Sequence, residues 1–102
     1  MEMALTAEPI TAEEAKTYGL VSRVVEKGGT VEAAMALAER IAKNAPLSVA
    51  ASKVLVQAQA GITEEEFWEL QKPYVAHVFR SNDAMEGPTA FAEKRAPKWS
   101  GT

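Results

Sequence analysis

Glu86-Gly87-Pro88-Thr89-Ala90-Phe91-Ala92-Glu93-Lys94-Arg95, followed by Ala96-Pro97-Lys98-Trp99, is the stretch on which the reading of this 102-residue chain turns. Pro88 suits the first position of a helix, where its missing N–H is not needed. A short last helix is therefore predicted from Pro88 to about Arg95, and Pro97 forbids its continuation. Lys94, Arg95 and Lys98 gather positive charge near the end of a chain whose net charge is −3. An ammonium on a flexible stem is a suitable partner for a phosphate. The competing role for Lys94 and Arg95 is to complement the negative end of that helix.

Working outward from this stretch, the pattern is helix after helix. Thr63 with Glu66 forms a capping box that opens the longest one. Its apolar face holds Phe67, Trp68, Leu70, Tyr74, Val75, Val78 and Phe79, and Pro73 should kink it. A helix starting at Pro46 buries Leu47, Ala50, Ala51, Val54, Leu55 and Ala58 and stops at Gly61. Before it, Val31, Ala34, Met35, Ala38, Ile41 and Ala42 recur at helical spacing, with Thr30 as cap and Asn44 at the close. Thr11 and Glu14 make a second capping box, and Gly19 ends that short helix. Leu20–Val25 is rich in β-branched residues and reads as the single strand. The expectation is a mainly α chain of about five helices with one short strand.

Composition narrows the function classes. Hydrophobic residues make up 47% and charged residues 25% of the chain, an ordinary globular balance. The negative net charge gives no electrostatic reason to approach nucleic acid. No apolar run reaches the roughly 20 residues needed to cross a bilayer. The chain has no cysteine, so thiolate metal sites and disulfides are excluded, in keeping with a reducing compartment. A cytoplasmic protein without metal or membrane partners is the expectation.

The inventory of reactive side chains assembles no active site. His77, the one histidine, lies beside the apolar face of the long helix, with no Asp or Cys nearby in sequence. It reads as a partly buried structural residue rather than a base. Glu64, Glu65 and Glu66 point in different directions around a helix, so they serve its first turn rather than a metal. Gly28-Gly29 lacks the context of a phosphate loop and reads as a turn. Phe67, Trp68, Tyr74 and Phe79 have helical spacing and read as packing rather than a base-stacking platform.

The opening stretch, EGPTAFAEKR, resembles the C-terminal signature of the crotonase superfamily of enoyl-CoA hydratases and isomerases. Two other segments agree. Leu5-Thr6-Ala7-Glu8-Pro9-Ile10, Ala12, Glu14-Ala15 and Gly19-Leu20-Val21 are similar to a family stretch in which the position of Ala7 is usually Gly. Asn44-Ala45-Pro46-Leu47 with Ser52-Lys53 resembles a third. The resemblance implies a C-terminal, trimer-forming helical segment of an α/β spiral fold. Residues 1–29 would be the last elements of the spiral domain, and residues 30–102 a helical domain for oligomerisation and pocket closure.

Acyl-CoA would be the substrate, with no separate cofactor, and the assembled parent would be a trimer or hexamer. The resemblance also implies site residues. The equivalent of Lys94 reaches the phosphate-bearing adenosine end of coenzyme A, often in a neighbouring subunit's site. The equivalent of Phe91 lines the acyl or pantetheine region, and Arg95 reads as structural. The family's oxyanion-holding amides and catalytic glutamates lie upstream in the spiral, and none of Glu2, Glu8, Glu13 or Glu14 falls at such a position. Catalytic residues are thus expected to be absent from this chain, Met1 reads as an introduced start or the edge of a truncated product, and residues 1–102 alone should be inactive. Two other functions fit the same residues: an isomerase or other enolate-forming acyl-CoA enzyme, and a free-standing helical interaction module.

Overall fold

A computed structural model describes residues 1–102 and contains six helices and no strand. They are α1 (Glu2–Thr6), α2 (Ala12–Thr17), α3 (Thr30–Ala42), α4 (Pro46–Ala58), α5 (Glu64–Phe79) and α6 (Asn82–Ala92). Both capping boxes form. The Thr11 hydroxyl accepts from Glu14 N at 3.2 Å while Glu14 Oε2 accepts from Thr11 N at 2.8 Å, and Thr63 and Glu66 repeat the exchange. At the end of α3 the Asn44 amide donates to the carbonyls of Arg40 and Ile41, closing two groups that the helix leaves open. Pro46 sits in the first turn of α4, as its missing N–H allows.

Three expectations need correction. Leu20–Val25 is irregular backbone rather than a strand. No other segment is extended beside it to complete a ladder, and the N–H groups of Leu20 and Val21 turn back to Ala15 O instead. α6 begins at Asn82, well before Pro88. The Ser81 hydroxyl accepts from Ala84 N at 3.2 Å, so the helix is already capped when it reaches Pro88, which lies inside it. α5 is continuous from Glu64 to Phe79, with Pro73 inside it. A helix at Glu2–Thr6 completes the set of six.

The chain divides into two compact units, Met1–Leu37 and Ala38–Thr102. In the second, α4 packs on α5 and α5 on α6. The chain after α6 is tied down by bonds distant in sequence: Trp99 Nε1 donates to Lys43 O at 2.8 Å, and Asn82 N to Thr102 O at 2.6 Å.

The expected buried faces are not buried. Ala90 is the only hydrophobic residue that is fully buried. Val31, Met35 and Ile41 of α3 are exposed, as are Val54 of α4 and Trp68, Val75 and Phe79 of α5. Leu47, Ala51, Leu55 and Ala58, and Phe67, Leu70, Tyr74 and Val78, are half-buried. The chain exposes 8614 Å². Surface scaling gives about 5,600 Å² for a folded monomer of this mass, and about 6,700 Å² for two separate compact bodies of the two units' sizes. Exposed large apolar side chains, among them Val31, Met35, Trp68, Phe79 and Phe91, contribute to this surface.

Candidate functional site

α6 and the residues after it carry the candidate site. Phe91 lies in the last turn of α6 and is 87% exposed. Glu93 is the C-cap, and Lys94 follows with φ 55, in the left-handed region. Lys94 N donates to Phe91 O at 3.2 Å and Arg95 N to Ala90 O at 3.0 Å. This is the two-bond Schellman arrangement, with Lys94 at the position that glycine usually fills. The structure therefore places Phe91 and Lys94 on one exposed helix end, three residues apart.

Arg95 organises the surroundings. Its Nη1 and Nη2 reach Glu86 Oε1 and Oε2 at 2.5 and 2.9 Å, and its Nε reaches Glu93 Oε2 at 2.6 Å. Nη1 also donates to Ala96 O at 3.2 Å. Glu86 Oε1 accepts from Lys98 N at 2.6 Å as well. The Arg95 hydrogen bonds first, and the Lys98 N–H second, hold the Glu86 carboxyl down at about 2. The same Glu86 bonds, followed by those to Glu93, raise Arg95 above its ordinary value. The structural part expected of Arg95 is visible in these contacts.

Asp83, at the start of α6, is the second anchor and one of the two buried residues. Its Oδ1 accepts from Ser100 N at 2.6 Å and Ser100 Oγ at 2.9 Å, and its Oδ2 from Gly101 N at 3.0 Å. The Ser100 N–H is the main reason its carboxyl titrates below the ordinary value, while burial and the Glu86 charge oppose it. Glu86 opens the stretch that decides the sequence reading, but nothing in the sequence marks it or Asp83 as an anchor. Their partners lie nine to eighteen residues away, at spacings that no helical or strand periodicity marks.

The other reactive side chains stay dispersed. His77 is exposed rather than partly buried, because the face of α5 beside it lacks covering protein. Glu64 accepts from Trp68 Nε1 at 3.1 Å while Glu66 serves the cap, so the acidic run divides into separate tasks. Phe67 and Trp68 meet edge to face with centroids 6.4 Å apart, as packing aromatics do. No three His, Cys, Asp or Glu residues are placed to hold a metal ion, and no helix is long and apolar enough to cross a membrane. A hollow of about 220 Å³, lined by Ala51, Leu55, Tyr74, Val78 and Phe79 among others, opens between α4 and α5. Its lining contains no acid–base pair.

Known proteins give this arrangement a context. A carnitinyl-CoA dehydratase from Proteus mirabilis is 41% identical over 104 residues, an alignment that takes in 98% of this chain and 40% of that protein. The crystal structure of an enoyl-CoA hydratase from Mycobacterium tuberculosis superposes with a TM-score of 0.95 at 44% identity, covering 100% of this chain and 40% of the other. An enoyl-CoA hydratase from Mycobacterium marinum matches with the same TM-score and identity. The chain thus spans about 40% of the length of the relatives it matches. The helical architecture found here is that of crotonase-fold enzymes, and the sequence model of enoyl-CoA hydratase/isomerase matches residues 1–102: the chain belongs to the enoyl-CoA hydratase/isomerase family.

Proposed function

We propose that this chain is the C-terminal helical part of an enoyl-CoA hydratase-like enzyme, where it serves subunit association and closes the acyl-CoA pocket. The observation that carries the reading is the surplus surface. An excess of about 2,000–3,000 Å² on one chain over surface scaling is at least what one side of a large obligate interface buries, since such interfaces total about 2,000–5,000 Å² over both partners. Phe79 and Phe91, at 77% and 87% exposed, are costly to leave in water and suited to covering an acyl chain or a neighbouring subunit. Lys94 then meets a phosphate at the adenosine end of coenzyme A, and Phe91 lies along the acyl or pantetheine portion.

The parent reaction is reversible hydration of a 2-enoyl-CoA, with oxyanion-holding amides and acid–base glutamates supplied from outside residues 1–102. A carnitinyl-CoA dehydratase-like reaction is the second reading, favoured by the identity to the Proteus mirabilis protein. Crotonyl-CoA hydration, followed at the enoyl absorbance, tests the proposal with the full-length protein and with residues 1–102 alone. Turnover by the first and none by the second is expected, since removing a single oxyanion donor already costs about 10²–10³ in rate. Turnover by residues 1–102 beyond a mock purification overturns this division of labour. Failure of the full-length protein to bind or turn over any acyl-CoA overturns the acyl-CoA reading itself.

A further inference from the structure

Trp99 is held by α6 on both flanks. Before it, Lys98 N donates to Glu86 Oε1 at 2.6 Å, and after it, Ser100 N donates to Asp83 Oδ1 at 2.6 Å. Between these two carboxylates the indole lies on Gly87, where an added Cβ would stand 3.4 Å from Cη2 and 3.8 Å from Cζ3. Gly87 does not take a positive φ, so it turns nothing. Its bareness suits the ring, and it suits Pro88, which tolerates little bulk in a helical residue before it. From this seat the indole N–H donates to Lys43 O at 2.8 Å, a carbonyl just past α3 of the kind that a helix end leaves open. Gly101 approaches the same corner, with an added Cβ 3.5 Å from Pro46 Cγ. The bond from Trp99 to Lys43 is the one hydrogen bond that joins residues 82–102 to any residue before Ser81. Among the helices, α5 is the one that packs on α6.

We infer that Trp99 is a positioning residue, latched between Gly87 and Lys43 O, that fixes α6 and the Phe91 at its far end relative to the corner between α3 and α4. This rests on the acyl-CoA reading above and adds what holds the Phe91 wall in place. Packing on α5 alone leaves a helix free to tilt on one neighbour, and a second attachment on a different element removes that freedom. About 12 Å of helix separates Asp83 from Phe91, so a tilt of about 5° about the anchored end displaces Phe91 by about 1 Å. The latch acts near the anchored end and its effect is read at the other.

The test is a double-substitution cycle in the full-length protein, with butyryl-CoA as the titrated probe and crotonyl-CoA hydration as the kinetic one. Trp99→Phe keeps a ring on Gly87 and removes the N–H. It should weaken butyryl-CoA binding about threefold, the lower part of what one hydrogen bond is worth. KM for crotonyl-CoA should rise by the same factor with kcat nearly unmoved, because the acid–base and oxyanion groups lie outside residues 1–102. Trp99→Leu loses the seat as well as the bond, and about tenfold is expected. If Trp99→Leu folds poorly, the milder Trp99→Phe carries the test. Phe91→Ala weakens binding by itself, and adding Trp99→Phe to it should change the affinity little further, since the latch acts through the far end of α6. A role in stability alone would lower the melting temperature in both backgrounds and leave KM unmoved where the variants are folded. That result overturns the positioning role, as does an equal loss of affinity from Trp99→Phe in the wild-type and Phe91→Ala backgrounds, and in both cases the acyl-CoA reading stands. Failure of the wild type to bind butyryl-CoA or any other acyl-CoA overturns that reading, and the positioning role with it.

Discussion

Two helix ends in this chain are built on the same hydrogen bonds and occupied by opposite residues. At the end of α2, Gly19 N donates to Lys16 O at 3.0 Å and Leu20 N to Ala15 O at 2.8 Å. At the end of α6, Lys94 and Arg95 make the equivalent pair to Phe91 and Ala90. The backbone need is identical, a left-handed residue at φ 74 in one case and 55 in the other. A Cβ at Gly19 would meet nothing within 4 Å, so glycine there answers to φ alone and not to crowding. The α6 end carries a lysine at the same left-handed position. What differs is the setting: local bonds surround Gly19, whereas Lys94 sits where Glu86, Asp83 and Arg95 tie the helix to residues 96–102. Gly19 lies at a corner that only turns the chain, and Lys94 at a corner that is also bound to the residues after it.

The largest expected effect comes from breaking the anchored corner. Asp83→Ala leaves the N–H groups of Ser100 and Gly101 and the Ser100 hydroxyl without their acceptor, in one of the two buried positions of the chain. Unmade bonds to buried groups are costly, so residues 96–102 should lose amide-exchange protection together while the end of α2 stays unchanged. The same corner sets the acid response. Asp83 and Glu86 have folded-state values below their unfolded ones, Glu86 at about 2. Their contribution is therefore fully present above the unfolded values near pH 4 and is lost as pH falls toward about 2. Glu86→Gln should flatten that acid slope and lower stability at neutral pH. A slope equal to the wild type would show that the acid response comes from elsewhere.

Next in size is a swap that tests the glycine itself. Gly19→Val places a β-branched residue where even an unbranched one is strained, and about 2 kcal/mol of local stability should be lost. Lys94→Gly runs the comparison the other way. It relieves the left-handed cost but adds freedom to the unfolded chain, so the net gain should be about 0.5–1 kcal/mol. Amide exchange at Leu20 and at Arg95 reads the two ends separately. An Arg95 amide that loses protection in Lys94→Gly would mean that the lysine stabilises the corner and is not kept at a cost.

The sequence made the helices legible and hid the corner. Thr11 with Glu14 and Thr63 with Glu66 are short-range exchanges, so three-residue spacing was sufficient to find both caps. Gly19 could be read as a helix end for the same reason. Leu20–Val25 misled because β-branched composition reports a tolerance for extended backbone, while a strand needs a partner that this chain does not supply. Pro88 misled because it is favoured at a first helical position, and the stronger start signal was the Ser81 hydroxyl seven residues earlier. The apolar stripes are visible in the helical spacing, but periodicity cannot say whether the covering surface lies in the same chain. For the site, EGPTAFAEKR points to Phe91 and Lys94 only through family likeness. The Asp83 and Glu86 anchors depend on folding back residues 95–101, which no local pattern announces.

The smallest effect is expected at Ala7, a third left-handed position, and it refines the comparison between the two helix ends. Ala7 has φ 56 and ψ 19 and closes α1 by donating to Met3 O. It stands where the family stretch it resembles usually has glycine, and its methyl offers no group to bind or position a ligand. If side-chain use is the reason a costly residue is kept at Lys94, Ala7 has no such reason, and Ala7→Gly should be a plain gain. Relief of the left-handed cost, offset by the added freedom of glycine when unfolded, leaves about 0.5 kcal/mol. The readout is local, because α1 is only five residues long, has no side-chain cap and no buried residue, so it opens with little coupling to the rest. Exchange at the Ala7 amide should slow by about twofold, with melting of the whole protein nearly unmoved and coenzyme A affinity unchanged. Loss of coenzyme A affinity in Ala7→Gly would mean that a left-handed non-glycine residue matters to this protein beyond its side chain, and the contrast between Gly19 and Lys94 would then be one of backbone rather than of side chain.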